Sequence, residues 1–418
     1  MLLALLTAAI VVADGPLHEA EDRIIHYNEP NHLADPVACL RARLEGRKEK
    51  LRFEPARGYL ASLLRALRIP VSSQTLVFSK TSLQSELVGP RTPRAVYFND
   101  SVYVSWVPGG STIDITSTDP EKGPVFYTLD QQAPVQPRFA RGEQCFQCHL
   151  APETLNVPGP LVRSMIVAPD GRPLSQVDDF ITGDGSRLKD RWGGWYVTAT
   201  QASFEHLGNS FANQPHPTGA LPSLRGRIDT SRYLSPGSDI VALLVLTHQM
   251  KMQNLITRAN YETRFALSQE SSPAMINQRI ARVAEPLLQY LLFRNETHLA
   301  GPVRGGSPFA GDFQKSGPWD SKHRSLRQLD LETRLMRYPC SYLIYSPAID
   351  ALPVQLKTYL WRRLFEILSG EDKSKPYAAM SADDRLAVLE ILRDTKPEFA
   401  ATLPPRPRTA PPHAVTPG

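Results

Sequence analysis

Residues 94–131 read RAVYFNDSVYVSWVPGGSTIDITSTDPEKGPVFYTLDQ. Short β-branched and aromatic runs alternate with Asn99-Asp100, Gly109-Gly110 and Asp119-Pro120, residues that turn a chain. The pattern predicts strands joined by tight turns, with a hairpin over 95–107 that reverses at Asn99-Asp100-Ser101. QTLVFSK at 74–80 adds another strand to the same region. A proline-rich bridge, QQAPVQPRFARGEQ (131–144), then leads out of the strands into CFQCH at 145–149.

That pentapeptide has the form C-x-x-C-H, the attachment signature of a c-type haem. The thiols of Cys145 and Cys148 can each add to a vinyl group of one porphyrin, and His149 then binds the iron as the proximal axial ligand. A structural zinc site would call for a second Cys/His pair at short spacing, and the chain has none. A thioredoxin-like pair would open a helix inside a βαβ unit, whereas the approach here is proline-rich. The expected cofactor is one haem c.

The other axial position decides the chemistry: a protein Met or His makes an electron-transfer centre, and a vacant site admits ligands or peroxide. IVALLVLTHQMKMQNLITRANYETRFAL (240–267) predicts a helix opened by Pro236-Gly237-Ser238-Asp239, with Ser238 as N-cap. On it Val241, Leu244, Val245, His248, Met252 and Leu255 share one face, so His248 and Met252 are the first distal candidates. His206, after the aromatic segment, is the third. Met165, in a strand expected over 161–167, reads as core, and His216 between two prolines is weaker. Trp192, Trp195 and Tyr196 surround two glycines and suit either a porphyrin face or an ordinary core strand. Arg163 and Arg191 are candidate propionate partners, against the plainer reading of structural or solvated arginines.

With 418 residues the chain exceeds the roughly 100 residues of one small domain that a minimal haem carrier needs. A net charge of +5 gives no nucleic-acid footprint. MLLALLTAAIVV at 1–12 has the length of a secretory apolar segment but lacks a preceding Lys or Arg; cleavage after Ala13 is the expectation. No later run reaches membrane length. Export, to the periplasm or otherwise out of the cytoplasm, agrees with covalent haem attachment. Cys39 and Cys340 are left over, as a disulfide or as two separate thiols. Residues 14–36 look like an extended arm whose His18, His26 and His32 lack metal-ligand spacing. Helices are expected over 36–67 (broken near Pro55), 274–293, 325–337, 352–369 and 381–393, and a disordered proline-rich tail at the end. No Ser/His/Asp elbow, Walker loop or dinucleotide fingerprint is present.

PRAVYFNDSVYVSWVPGG, VFYTLDQ, CFQCH, RWGGWYVT, EHLGN, SDIVALLVLTHQ, NLITRA, YLIYSPAIDALP and LEILRDTKP together resemble a family of bacterial proteins described only as cytochrome c domain-containing, over about residues 75–396. The resemblance implies an exported monohaem protein with electron-transfer activity. Similar proteins often read GTHG and HMGN after RWGGWYVT. Here Thr200-Gln201 and Leu207 replace those motifs' His and Met, which leaves His206 and excludes a Met ligand in that segment.

The expected architecture is α+β: a signal peptide at 1–13, an N-terminal arm and helices at 14–70, a β-rich haem-bearing region at 71–234, a helical region closing over the haem at 235–400, and the tail at 401–418. The expected function is electron transfer to or from a redox protein or a small molecule. The alternative is a haem enzyme with an open distal site, peroxidase-like or a small-molecule oxidoreductase. A haem sensor is a third reading, with no effector domain in sight.

Overall fold

The structure, a computed structural model, describes residues 19–29, 33–132, 137–174, 180–213, 219–270 and 272–404. The segment at 1–13, His18, His32, His216 and the tail from 405 lie outside the described residues. Helices and an antiparallel sheet share the chain, so the α+β class holds. Among the described residues no helix is long and apolar enough to cross a membrane.

The turn-punctuated strands form a meander. β1 (Thr75–Val77), β2 (Arg94–Phe98), β3 (Val102–Trp106), β4 (Thr112–Asp119), β5 (Gly123–Asp130) and β6 (Phe139–Arg141) pair in order, each antiparallel to the next. Short pairs follow, β7 (Arg163–Ser164) with β8 (Phe180–Ile181). β9 (Trp195–Tyr196) closes the large sheet beside β1, and β10 (Ala199–Gln201) pairs with β11 (Arg304–Gly305). The expected strand over 161–167 is thus reduced to the two residues of β7. The hairpin turns where the sequence placed it: Asn99 Oδ1 accepts from the amides of Ser101 (3.1 Å) and Val102 (2.9 Å). Asp119 does the same at the turn between β4 and β5, for Glu121 and Lys122, both at 2.9 Å.

Period-two alternation gives the sheet two covered faces. Ala95, Tyr97, Val102, Val104, Ile113 and Ile115 pack on the N-terminal helices α2 (Pro36–Glu45) and α3 (Leu60–Ala66). Val77, Val96, Phe98 and Tyr103 face the other way, into a core shared with the C-terminal helices. The β-rich and helical regions therefore share one core. α1 (Glu19–Ile25) replaces part of the expected extended arm.

α4 (Phe146–His149) carries the motif, and α5 (Ile240–Gln269) is the central strut. Its N-cap is Asp239, whose Oδ1 accepts from Val241 N (2.9 Å) and Ala242 N (3.1 Å). Ser238, the expected cap, instead accepts from Leu76 N at 2.9 Å and ties the helix start to β1. α5 is buried on both sides, so its single apolar face is only half of the pattern. Gln249, Gln253, Asn260 and Tyr261 donate to backbone carbonyls of the hairpin turns: Asn99 and Asp100, Glu121 and Lys122, at 2.7–2.8 Å. The opposite side meets α6 (Pro273–Leu291), α7 (Phe309–Lys315) and α8 (Pro347–Asp350). α9 (Val354–Leu368), α10 (Lys375–Ala378), α11 (Ala382–Thr395) and α12 (Pro397–Ala400) complete this layer.

The helix expected over 325–337 does not form. Asp330 Oδ1 accepts from three successive amides, of Glu332, Thr333 and Arg334, and Leu329 bridges Met336, so this stretch is a tight reversal. Cys39 is exposed on α2 and Cys340 is fully buried among the C-terminal helices; both are free thiols and no disulfide joins them.

Glu296, after α6, accepts from Leu335 N at 2.7 Å, and burial pushes its carboxyl up from 4.5 to about 7. A carboxyl that holds its proton more tightly when folded stabilises the fold fully below its unfolded pKa and loses that contribution as pH rises through its folded one. Relative to Glu296→Gln, the wild-type protein is therefore expected to lose stability between about pH 4.5 and 7. Urea midpoints of the two proteins across that range check it.

Candidate functional site

The motif is placed by the sheet. β6 pairs with β5, Gly142 N donates to Phe126 O at 2.9 Å, and the chain turns through a 3₁₀ segment, Glu143–Cys145, into α4. A Cβ on Gly142 would lie 2.9 Å from Cys145 Sγ, so a larger residue there would make the thiol shift. Phe146 packs edge-on against Tyr27 and Phe126, with centroids 5.8 and 5.5 Å away. The His149 ring lies 5.1 Å from that of Phe126.

His149 Nδ1 is 2.8 Å from the Gly159 carbonyl oxygen, and Gly159 N donates back to His149 O at 2.9 Å. A carbonyl oxygen only accepts, so the Nδ1–H tautomer is selected and the lone pair sits on Nε2. Burial holds the imidazole down at about 4, against the opposing pull of the Gly159 carbonyl, with Arg94 and Arg163 lowering it further. At neutral pH the ring is an uncharged base with one free nitrogen, the form that ligates a metal. Burial also pushes the Cys145 thiol up to about 11.

Cys145, Cys148 and His149 line a cavity of about 380 Å³ between the sheet and α5, within the usual range of small-molecule sites. Its floor is the core-facing side of the meander, carrying Arg94, Ser105, Asp114 and Thr116. Its far walls include Pro160, Leu161, Arg163, Trp195 and Met250. Cys148 and Leu83 are exposed at its edge. The Arg94 Nε is buried without a hydrogen-bond partner, and the guanidinium and the Asp114 carboxylate attract one another. Among the described residues no three His, Cys, Asp or Glu side chains gather to hold a metal ion by themselves.

The three distal candidates do not line this cavity. His248 is fully buried on the far side of α5 with both nitrogens engaged: Nδ1 to Asp184 Oδ2 and Nε2 to Ser341 Oγ, each at 2.7 Å. Its ring stacks on Phe293 and Tyr290. Asp184, His248 and Ser341 have the connectivity of a hydrolytic triad, but Ser341 and His248 are 0% exposed and neither borders the cavity, so this is a structural cross-brace. Met252 is sealed in the same core. His206 is enclosed by Trp192 and Phe204, with neither ring nitrogen hydrogen-bonded. Met165 is core, as expected.

Met250, two residues from each helical candidate, is the Met that reaches the cavity. A two-residue step turns an α-helix by about 200°, so reading one apolar stripe selects the wrong side. The aromatic cluster also divides: Trp195 lines the cavity, Trp192 is buried behind it, and Tyr196 lies on the opposite sheet face. Arg163 borders the cavity, whereas Arg191 donates to Ser186 O (2.9 Å) and Asp184 O (2.6 Å) and is spent on that loop. His26 is exposed beside Glu29.

Sequence reasoning missed Arg94, Asp114 and Met250. The first two occupy alternate positions of strands, where a polar residue reads as solvent-facing. The available signal was that both faces of this sheet had to be covered by so many predicted helices.

Comparison with protein-family models finds no match, and searches of curated proteins and of solved structures find none either.

Proposed function

We propose that the chain is an exported c-type cytochrome that carries one covalently bound haem and transfers electrons. The observation that carries this reading is the His149 tautomer: its Nδ1 is committed to Gly159 O, and its free nitrogen belongs to a motif whose two thiols line the same cavity. The residues present fit the group. Cys145 and Cys148 would each form a thioether, the thiol S–H adding across a vinyl C=C. His149 would be the proximal ligand. Arg94 and Arg163 would stand beside the propionates, which would give the partnerless Arg94 Nε an acceptor. When bound, haem supplies an iron that changes oxidation state by one electron.

In this reading Met250, a flexible thioether on a rigid helix that lines the cavity, would be the second residue to hold the iron. Met and His together would supply a centre of raised reduction potential that resists small ligands. The polar Arg94–Asp114 floor favours the second reading, a haem enzyme with an open distal site, because a cation and a carboxylate lining the cavity would assist the peroxide chemistry that haem would supply there.

Carbon monoxide separates the two. The reduced wild-type protein is expected to resist carbon monoxide, and Met250→Leu, which conserves volume, is expected to bind it fully. Rapid binding by the wild-type protein would instead favour the enzyme. A denatured spectrum without covalent haem would end both readings. Met252→Leu and His248→Gln are expected to leave carbon monoxide binding unchanged.

A further inference from the structure

α5 touches the motif loop from the far half of the chain. Asn254, one turn after Met250 and 3% exposed, donates from Nδ2 to Pro160 O at 2.8 Å. The preceding residue is Gly159, whose carbonyl holds His149 Nδ1 at 2.8 Å and whose amide donates to His149 O at 2.9 Å. Gly159 is pressed against the same amide: a Cβ there would lie 2.3 Å from Asn254 Oδ1. That Oδ1 is itself buried without a hydrogen-bond partner, a cost that only the other half of the side chain offsets.

We propose that Asn254 is a positioning residue for the proximal imidazole: by holding Pro160 it fixes the Gly159 carbonyl that orients His149 and sets its basicity. This rests on the haem reading above. A hydrogen bond to the second nitrogen of a ligating histidine orients the ring and makes it a stronger donor to the metal. Releasing the Gly159–Pro160 strap lengthens that bond, weakens the donor and favours the reduced iron.

The chain contains its own control. Asn260, on the same helix and 4% exposed, donates from Nδ2 to Glu121 O at 2.7 Å, away from the motif. Losing either amide removes one anchor between α5 and a loop, but only Asn254 leads to His149.

The experiment compares wild type, Asn254→Leu and Asn260→Leu as purified haem-loaded proteins. It reads the reduction potential and the paramagnetically shifted ring resonances of His149 in the oxidised state. The expected result is an upward shift of potential and displaced His149 resonances in Asn254→Leu, with Asn260→Leu matching wild type in both. Asn254→Ala, which removes the donor without apolar bulk, gives the same reading if the leucine variant does not fold. Equal shifts in the two positions, or none at Asn254, overturn the proposal while the haem reading stands. A wild-type protein whose denatured spectrum lacks covalent haem ends that reading and this inference with it.

Discussion

Replacing His149 with alanine is expected to lower the haem content of the purified protein at least tenfold while the chain stays folded. The two halves of this expectation have different origins. In the fold the imidazole makes one polar contact, the bond to Gly159 O; a hydrogen bond of that kind contributes about 1 kcal/mol. As the haem ligand proposed above it would weigh more. Loss of an outer partner of a ligating histidine typically costs about 10- to 100-fold in metal affinity, and loss of the ligand itself should cost no less. The ratio of visible to protein absorbance measures the first half, and thermal unfolding followed by circular dichroism measures the second. Full haem content with an unchanged spectrum would remove His149 from the iron.

His248→Ala is expected to do the reverse: a large loss of stability, about 3–5 kcal/mol, with no change in the haem spectrum. His248 is fully enclosed between α5 and the C-terminal helices, and both nitrogens are bonded at 2.7 Å. Truncation leaves the Asp184 carboxylate and the Ser341 hydroxyl buried without this partner, and removes the ring that stacks at 4.4 Å on Phe293. The side-chain cavity adds to that cost. Urea midpoints give the stability change and the oxidised and reduced spectra give the site. A variant of wild-type stability with an altered iron spectrum would return His248 to the list of ligands. Together the two substitutions separate the histidine that serves the site from the histidine that serves the fold.

The difference between them was only partly legible in the sequence. The C-x-x-C-H spacing is local, so three neighbouring residues suffice to read it. The strands of the meander are local too: Asn99 and Asp119 close their turns with bonds to amides two and three residues ahead. Most of the long C-terminal helices follow from apolar periodicity, but the break expected near Pro55 comes earlier and is wider: α2 already ends at its Gly46 cap, and α3 starts at Leu60. The stretch at 325–337 failed because Asp330 bonds three amides ahead of it and competes with helix.

What lies around the motif is a different matter. His248, Met250 and Met252 sit within five residues on one helix, and nothing in that short stretch says which side faces the cavity. The side is set by what α5 packs against: hairpin turns on one flank and α6, α8 and α9 on the other. Arg94 and Asp114 reach the cavity because α5 covers the sheet face they lie on, a condition supplied by chain more than 100 residues away. Gly159 meets Asn254 across 95 positions of sequence. The sequence by itself determined the strands of the meander, most of the helices and the three residues of the motif, since turn chemistry, periodicity and spacing act between near neighbours. The tertiary structure alone decided which sulfur faces the cavity, which histidine is a brace and which amide holds the motif loop, because burial is a property of both packed surfaces and no single segment encodes it.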